Sequence, residues 1–180
     1  ELAKRLEGAA RELERLLAGG RRGRVLREGL PTVIVGKPNV GKSSLLNALV
    51  GTRRALVTEV PGTTRDVIEE VVDIRGVPVR LLDTAGIRET SDRVEKLGVA
   101  ATKERLAEAA LALFVLDAAR GWEKEDEAIW SLCAGRSSLV LLNKMDVGGR
   151  LTPEEAQRHC PGAKVIPLSV KAGWGLEAVE

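Results

Sequence analysis

Residues Gly36–Ser43 read Gly-Lys-Pro-Asn-Val-Gly-Lys-Ser, which has the form G-x-x-x-x-G-K-[ST]. An apolar run, Thr32–Val35, precedes this stretch, and a helical pattern, Leu45–Leu49, follows it. A strand, a glycine-rich loop and a helix in this order are what a phosphate-binding P-loop requires. Inward-curling backbone N–H groups and the helix N-terminus then form a cradle for an anion. The pattern predicts that Lys42 contacts the β- and γ-phosphates and that the Ser43 hydroxyl binds Mg²⁺.

The composition is that of a globular protein with one domain and an appendage. The chain has 180 residues, of which 44% are apolar and 30% are charged, and its net charge of +2 is too small to indicate nucleic-acid binding. Two isolated cysteines favour neither a disulfide framework nor a metal site, so we expect a cytoplasmic setting. No apolar run reaches about 18 residues, and we therefore expect no membrane span and no membrane partner.

Strands and helices alternate from Leu30 onward, which predicts an α/β fold. We expect a mostly parallel six-stranded sheet with one antiparallel strand and helices on both faces. A turn at Gly76 predicts the hairpin that supplies the antiparallel strand. The predicted strands are Val33–Val35, Val67–Ile74, Val79–Leu82, Leu111–Leu116, Leu139–Leu142 and Val165–Leu168.

Residues 1–29 differ from the rest of the chain. Leucines and alanines from Leu2 to Leu17 recur at three- and four-residue spacing, which predicts an amphipathic helix that ends at Gly19 and Gly20. The arginine- and glycine-rich stretch Gly19–Gly29 is typical of a linker or a weak second helix. We expect residues 1–29 to be a helix and a linker and residues 30–180 to be a separate α/β domain, with its last helix cut short after Gly175.

Two polar segments follow the P-loop, and each suits a nucleotide-dependent loop. Asp83 directly follows a predicted strand and can hold Mg²⁺ through a water, while the Gly86 N–H can approach a γ-phosphate. Alone, the D-x-x-G pattern of Asp83–Gly86 is usually a turn, but its position after a P-loop favours the functional reading. The long loop Gly51–Arg65 contains Thr64, whose hydroxyl would complete the Mg²⁺ shell.

The stretch Asn143–Asp146 reads N-K-x-D after a predicted strand. The Asp146 carboxylate only accepts hydrogen bonds, so it matches the N1–H and N2–H₂ donors of guanine and leaves adenine unmatched. Asn143 and Lys144 would pack around the base and brace the P-loop. Backbone N–H groups of Ser169–Lys171 would close the base pocket.

These motifs place the chain in the P-loop GTPase superfamily, of the translation-factor-like (TRAFAC) type. Within it, Gly62–Asp66, Asp83–Glu89 and Asp92–Gly98 resemble the MnmE (TrmE) family of tRNA-modification GTPases, as does the lead-in Arg27–Gly29. The resemblance implies GTP and GDP as ligands, Mg²⁺ and K⁺ as cofactors, and GTP hydrolysis as the reaction. It also implies the P-loop GTPase fold for residues 30–180, as the GTPase domain, and makes residues 1–29 a fragment of a helical domain. For a full-length member it implies tRNA and a flavoprotein of the MnmG type as partners.

The position after D-x-x-G is Ile87, where many small GTPases carry a glutamine that orients the attacking water. Isoleucine cannot hydrogen-bond, so another residue must orient the water. Considered alone, Glu95 would be a solvated surface residue. The family resemblance instead implies that Glu95 orients the water, beside Lys42 and Gly86.

Positive charge at the scissile phosphate has two possible sources. Arginine fingers would come from Arg53, Arg54, Arg65 and Arg88. The resemblance implies instead a K⁺ ion held by Asn39, Thr58, Val60 and Thr63, and a homodimer that GTP assembles through the two GTPase domains. Together the motifs and the resemblance give these nucleotide-binding residues: Asn39, Val40, Gly41, Lys42, Ser43, Ser44, Thr58, Thr63, Thr64, Asp83, Gly86, Asn143, Lys144, Asp146, Ser169, Val170 and Lys171.

Some features depart from the family and leave alternatives open. Val170 replaces the usual alanine, and the family's folate-binding domain, most of its helical domain and its C-terminal cysteine have no counterpart here. We therefore expect GTP hydrolysis, without tRNA modification by this piece alone. A ribosome-assembly GTPase of the Der or Era type is the first alternative, although Ala85 and Arg88 argue against it. The second is a nucleotide-gated dimerisation module with little turnover.

Overall fold

The computed structural model describes residues 20, 23–52, 70–82, 84 and 99–179. Within these ranges one sheet contains β1 (Leu30–Val35), β2 (Glu70–Ile74), β3 (Val77–Leu81), β4 (Leu111–Asp117), β5 (Ser138–Asn143) and β6 (Lys164–Pro167). The α-helices are α1 (Lys42–Thr52), α2 (Val99–Glu108), α3 (Lys124–Cys133) and α4 (Pro153–His159). Single 3₁₀ turns lie at Met145–Val147 and Leu176–Ala178.

The strand order across the sheet is β2-β3-β1-β4-β5-β6. Every neighbouring pair is parallel except β2 and β3, which form an antiparallel hairpin around Gly76. The predicted sheet, including its one antiparallel strand, is therefore confirmed. Strand β1 has β3 on one side and β4 on the other, so the chain changes direction across the sheet next to the loop that follows β1. Ligands bind at such a switch point in open α/β sheets.

Alternation along the strands produces two apolar layers. In β4, Phe114 and Leu116 pack with Trp130 of α3 on one face, whereas Val115 packs with Leu45 and Leu46 of α1 on the other. All six are almost fully buried. Because successive side chains of a strand point to opposite faces, one apolar strand serves both layers. This double coverage explains why the parallel strands are apolar throughout.

The observed boundaries differ from the predicted ones by a few residues. Helix α1 runs to Thr52 rather than Leu49, because Val50 continues its buried face. The predicted C-terminal helix is a single 3₁₀ turn, Leu176–Ala178. Residues 23–28 are helical and end at Gly29, whose φ of +81° is accessible mainly to glycine.

Several predicted features lie outside the described residues. They include the amphipathic helix predicted up to Leu17, most of the loop Gly51–Arg65, and the segment that contains Glu95. Within the described ranges, no helix combines the length and the apolar character needed to cross a membrane.

Candidate nucleotide-binding site

The loop Gly36–Ser43 joins the carboxyl end of β1 to the first turn of α1. Its backbone is tightly curled, with positive φ at Gly36 (149°), Asn39 (62°) and Gly41 (106°). A Cβ on Gly36 would collide with the Val115 carbonyl of β4, so the loop must press directly on the sheet. The first N–H groups of an α-helix have no partner within the helix, and here they face the loop. The segment therefore has the local form of an anion cradle.

Lys42 lies at the start of α1 and its side chain folds back over the loop. Its ammonium nitrogen Nζ donates to the carbonyl oxygens of Gly36 (2.9 Å) and Lys37 (2.6 Å). These two carbonyls fix the position of the ammonium group. The predicted phosphate-contacting charge is thus held at the mouth of the cradle.

Asn143 connects the end of β5 to the P-loop. Its Nδ2 donates to the Val40 carbonyl (2.8 Å), and its Oδ1 accepts from the Val170 N–H (3.0 Å). The side chain is buried, and a Cβ on Gly41 would meet the Asn143 amide. One asparagine therefore ties together the P-loop, β5 and the loop after β6. The bracing predicted for Asn143 is present in the structure.

Lys144 forms a second connection to the P-loop. Its Nζ donates to the Asn39 carbonyl (2.7 Å) and pairs with Asp117 Oδ2 (2.7 Å). Asp117 is buried at the end of β4, directly opposite Asn143 in the sheet register. Asp117 was not among the predicted site residues. An acidic residue at the end of an apolar strand was the available signal.

Asp146 lies in the 3₁₀ turn Met145–Val147 and faces the loop after β6. Its Oδ1 accepts from the Ser169 hydroxyl (2.6 Å), and that hydroxyl oxygen accepts from the Ala172 N–H (3.2 Å). The hydrogen bond from Ser169 holds the pKa of Asp146 below its ordinary value. Asp146 is therefore an ionised acceptor at neutral pH. The role predicted for Ser169 was a backbone contact, and its side chain also orients Asp146.

A pocket of about 600 Å³ lies between α1, the end of β5 and the loop after β6. Eight residues of the predicted nucleotide site line it, together with Asn47, Ala48 and Val147, which were not predicted. The eight are Gly41, Ser44, Asn143, Lys144, Asp146, Ser169, Val170 and Lys171. Four further predicted residues, Asn39, Val40, Lys42 and Ser43, lie in the adjoining loop and first turn of α1.

The remaining predicted site residues lie outside the described part of the chain. These are Thr58, Val60, Thr63, Thr64, Asp83, Gly86 and Glu95. Of the predicted Mg²⁺ ligands, the described part includes only Ser43, and of the predicted K⁺ ligands only Asn39. Among the described residues, histidine, cysteine, aspartate and glutamate form no group of three that could hold a metal ion. A site completed by nucleotide phosphates does not need such a group, because Mg²⁺ is commonly bound by one or two side chains plus phosphate oxygens.

A buried ion pair joins the P-loop to α3. Lys37 Nζ lies 2.7 Å from Asp126 Oδ2 and 2.8 Å from Glu123 Oε2, with the Lys37 and Asp126 side chains only 3% and 1% exposed. Burial alone would lower the pKa of Lys37, but hydrogen bonds to the two carboxylates outweigh it and raise the pKa. This contact was not predicted, because its partners are 86 residues or more apart in the chain.

The cysteines and the histidine lie away from the pocket. Cys133 and Cys160 are buried and free, and burial raises the pKa values of their thiols to about 11 and about 12. His159 is exposed and stacks on Trp122 with ring centroids 4.4 Å apart. None of the three is placed for chemistry on a ligand in the pocket.

A family model described as "50S ribosome-binding GTPase" matches residues 32–144, which run from β1 through the P-loop to Lys144. The chain belongs to this GTPase family. The prediction of a GTP-hydrolysing enzyme with the P-loop GTPase fold is therefore confirmed.

Among the relatives of this GTPase, several are named tRNA modification GTPase MnmE. The proteins from Heliobacterium modesticaldum and Thermoanaerobacter sp. are 53% and 49% identical over 93% and 94% of the chain. The protein from Desulforamulus reducens is 47% identical over 99% of it. These similarities confirm the resemblance to the MnmE family. The chain spans only 36–39% of the length of these relatives.

Solved structures of other GTPases share the fold. The G domain of the T. maritima FeoB iron transporter aligns with a TM-score of 0.57 and 27% identity, over 83% of this chain and 93% of that one. Elongation factor SelB from Methanococcus maripaludis, bound to a GTP analogue, aligns with a TM-score of 0.58 and 19% identity, over 83% of this chain and 32% of that one. The second likeness concerns the fold alone.

Proposed function

We propose that the chain is the GTP-binding and GTP-hydrolysing part of a tRNA wobble-uridine modification enzyme, switched on by K⁺-dependent pairing of two such domains. The observation that carries the proposal is the position of Asp146. Its ionised carboxylate lies at the wall of the 600 Å³ pocket and is oriented by Ser169. Relatives that are 43% and 53% identical are named tRNA modification GTPase MnmE, which supports the assignment to tRNA modification.

Guanine selection follows from the chemistry of this pocket. An ionised carboxylate accepts hydrogen bonds and donates none, so Asp146 pairs with the N1–H and N2–H₂ groups of guanine. Adenine has an acceptor at N1 and no amino group at C2, which leaves the carboxylate unpaired. A site discriminates strongly against a ligand that leaves one of its polar groups without a hydrogen-bond partner. Asn143, Val170 and the Lys144 stem enclose the base.

The phosphates of GTP occupy the P-loop. The backbone N–H groups of Asn39–Ser44 bind them, and Lys42, oriented by the Gly36 and Lys37 carbonyls, shares its charge with the β- and γ-phosphates. Ser43, Thr64 and Asp83 offer Mg²⁺ a hydroxyl, a second hydroxyl and a carboxylate, which are the oxygen donors that this ion prefers. A bound Mg²⁺ would supply positive charge that stabilises the charge developing on the phosphates.

Water and the transition state involve residues of the two nucleotide-dependent loops. Glu95 orients the attacking water and the Gly86 N–H binds the γ-phosphate. Asn39, Thr58, Val60 and Thr63 offer oxygens to K⁺. Asn39 suits this role because Lys144 holds its carbonyl (2.7 Å) while its side chain is exposed. A neutral amide oxygen is a reasonable ligand for a monovalent cation.

The proposal extends to the organisation of the whole protein. Residues 1–29 are a fragment of a helical domain, and residues 30–180 are the GTPase domain. Two copies pair through their GTPase domains when GTP is bound. In the complete cytoplasmic protein, a flavoprotein of the MnmG type and tRNA are the partners.

A second candidate is a ribosome-assembly GTPase of the Der or Era type. The description of the matching family model, a 50S ribosome-binding GTPase, favours it. Relatives that are 45% and 49% identical are named tRNA modification GTPase MnmE instead, which supports the first proposal. Pull-down with the tagged chain separates the two candidates: co-purification of ribosomal subunits would favour the second.

GTP hydrolysis measured in KCl and in NaCl tests the proposal. We expect faster phosphate release in KCl, and we expect Glu95→Ala to lose about 10²-fold or more in kcat while it keeps GDP affinity. Glu104→Ala, which removes an exposed glutamate from α2, is the matched control and keeps full activity. Equal rates in the two salts together with a fully active Glu95→Ala variant would refute the mechanism.

A further inference from the structure

The P-loop is held from three directions by elements far away in sequence. Asn143 holds the Val40 carbonyl, Lys144 holds the Asn39 carbonyl, and α3 holds the side chain of Lys37. The first two connections come from the N-K-x-D segment that also forms the base pocket. The third comes from a helix that contributes nothing to that pocket.

Lys37 is fixed at both of its ends. Its ammonium group is bound by Asp126 Oδ2 (2.7 Å) and Glu123 Oε2 (2.8 Å), and its carbonyl oxygen accepts from Lys42 Nζ (2.6 Å). Pro38 follows and restricts the backbone of Lys37 further. The peptide group after Lys37 therefore cannot tilt without lengthening one of these contacts. Its carbonyl is one of the two oxygens that orient Lys42.

We propose that Asp126 is a positioning residue for GTP hydrolysis: by holding Lys37, it fixes the carbonyl that orients Lys42 toward the phosphates. This inference rests on the proposed function and adds α3 to the parts of the fold that control the reaction. Asp126 touches no substrate and acts only through the P-loop.

The composition of the contact supports a positioning role. An apolar pair would fill the same volume, and replacing buried ion pairs with apolar residues is often neutral or stabilising. Apolar packing has no direction, whereas the Lys37 ammonium makes directed, charge-assisted hydrogen bonds. Asp126 Oδ1 is moreover buried without a hydrogen-bond partner, which is costly for a group kept only for stability.

The chain contains a matched control for the other task of Asp126. Asp126 also accepts from the Glu123 N–H (2.9 Å) as the third residue of α3, and Glu155 accepts from the Thr152 N–H (2.8 Å) as the third residue of α4. Both are helix-capping carboxylates, but among the contacts described only Asp126 also holds the P-loop. Comparing Asp126→Asn with Glu155→Gln therefore distinguishes the loss of the contact with Lys37 from the loss of a helix cap.

Steady-state GTP hydrolysis and thermal unfolding of four proteins test the inference. They are the wild type, Asp126→Asn, Glu155→Gln and the double variant Lys37→Met/Asp126→Leu. We expect kcat to fall about tenfold in Asp126→Asn, with KM changed by less than about threefold. The reason is that a misplaced Lys42 stabilises the transition state less, while the binding of GTP in the ground state changes little. Glu155→Gln keeps the wild-type kcat.

The double variant keeps the test valid if Asp126→Asn folds poorly. Apolar packing restores its thermal midpoint to the wild-type value, yet its kcat stays about tenfold low. A double variant with wild-type kcat as well as wild-type stability would overturn the inference, as would a well-folded and fully active Asp126→Asn. A wild-type chain that releases no phosphate from GTP would overturn the proposed function itself, and the inference with it.

Discussion

The side-chain Nδ2 of Asn143 lies 2.8 Å from the carbonyl oxygen of Val40, 103 residues earlier in the chain. The same side chain accepts the Val170 N–H, so it links the phosphate-binding loop to both loops of the base pocket. Asn143 thereby fixes the positions of the phosphate-binding loop and the base pocket relative to each other. Precise placement of binding groups matters because small displacements cost large factors in rate.

Replacing Asn143 with alanine should damage both stability and binding. The Val40 carbonyl and the Val170 N–H each lose a partner, so we expect the free energy of unfolding to fall by about 2 kcal/mol or more. GDP affinity should fall at the same time. Urea unfolding and GDP titration measure the two effects.

The control for this substitution is Asn47→Ala, which removes an exposed asparagine that lines the same pocket from α1. Its free energy of unfolding should stay within about 0.5 kcal/mol of wild type. Equal stability losses in the two variants would contradict the bracing role of Asn143.

A pair of glycine substitutions tests how closely the P-loop approaches Asn143. At Gly41, φ is +106° and an added Cβ would meet the Asn143 amide, so Gly41→Ala should destabilise the fold and abolish detectable GDP binding. At Gly51, in the last turn of α1, an added Cβ meets nothing within 4 Å. Gly51→Ala should therefore raise stability by up to about 1 kcal/mol and leave binding intact. Normal GDP binding by Gly41→Ala would contradict the loop geometry.

The sheet and the base pocket could be predicted from the sequence because both follow from local patterns. Apolar strands such as Leu111–Asp117 are continuous in sequence, and each motif directly follows a strand end. The partners of Lys37 and Lys144 could not be predicted, because 26 acidic residues compete for them and only the fold brings Asp126 and Asp117 close. The roles of Glu95 and Asn39 came from family resemblance and stay predictions.

Stability should fall in acid through the helix-capping carboxylates. The Thr152 N–H lowers the pKa of Glu155 below its ordinary value of 4.5, and Lys37 lowers that of Glu123. A carboxyl group with a lowered folded-state pKa stabilises the fold above pH 4.5, and this contribution is lost as pH falls through the folded-state value. We expect the thermal midpoint of the wild type to drop below pH 4.5 more steeply than that of Glu155→Gln. Parallel curves for the two proteins would count against this assignment.

Both cysteines should be protected from thiol reagents in the native state. Cys133 and Cys160 are fully buried, and burial raises their pKa values to about 11 and about 12. Since the thiolate is the reactive form, labelling with Ellman's reagent at about pH 8 should be slow in the folded protein. In denaturant two thiols per chain should react rapidly. Rapid labelling before unfolding would contradict the burial described here.

The central claim, that Asp146 selects guanine for hydrolysis at the P-loop, is tested most directly by phosphate release from GTP, ATP and XTP in KCl. We expect the wild type to prefer GTP to ATP by at least about a hundredfold in kcat/KM. Asp146→Asn should prefer XTP, because its amide can donate to the C2 carbonyl of xanthine. A wild type that hydrolyses ATP as well as GTP, or an Asp146→Asn variant that keeps the full GTP preference, would contradict the account.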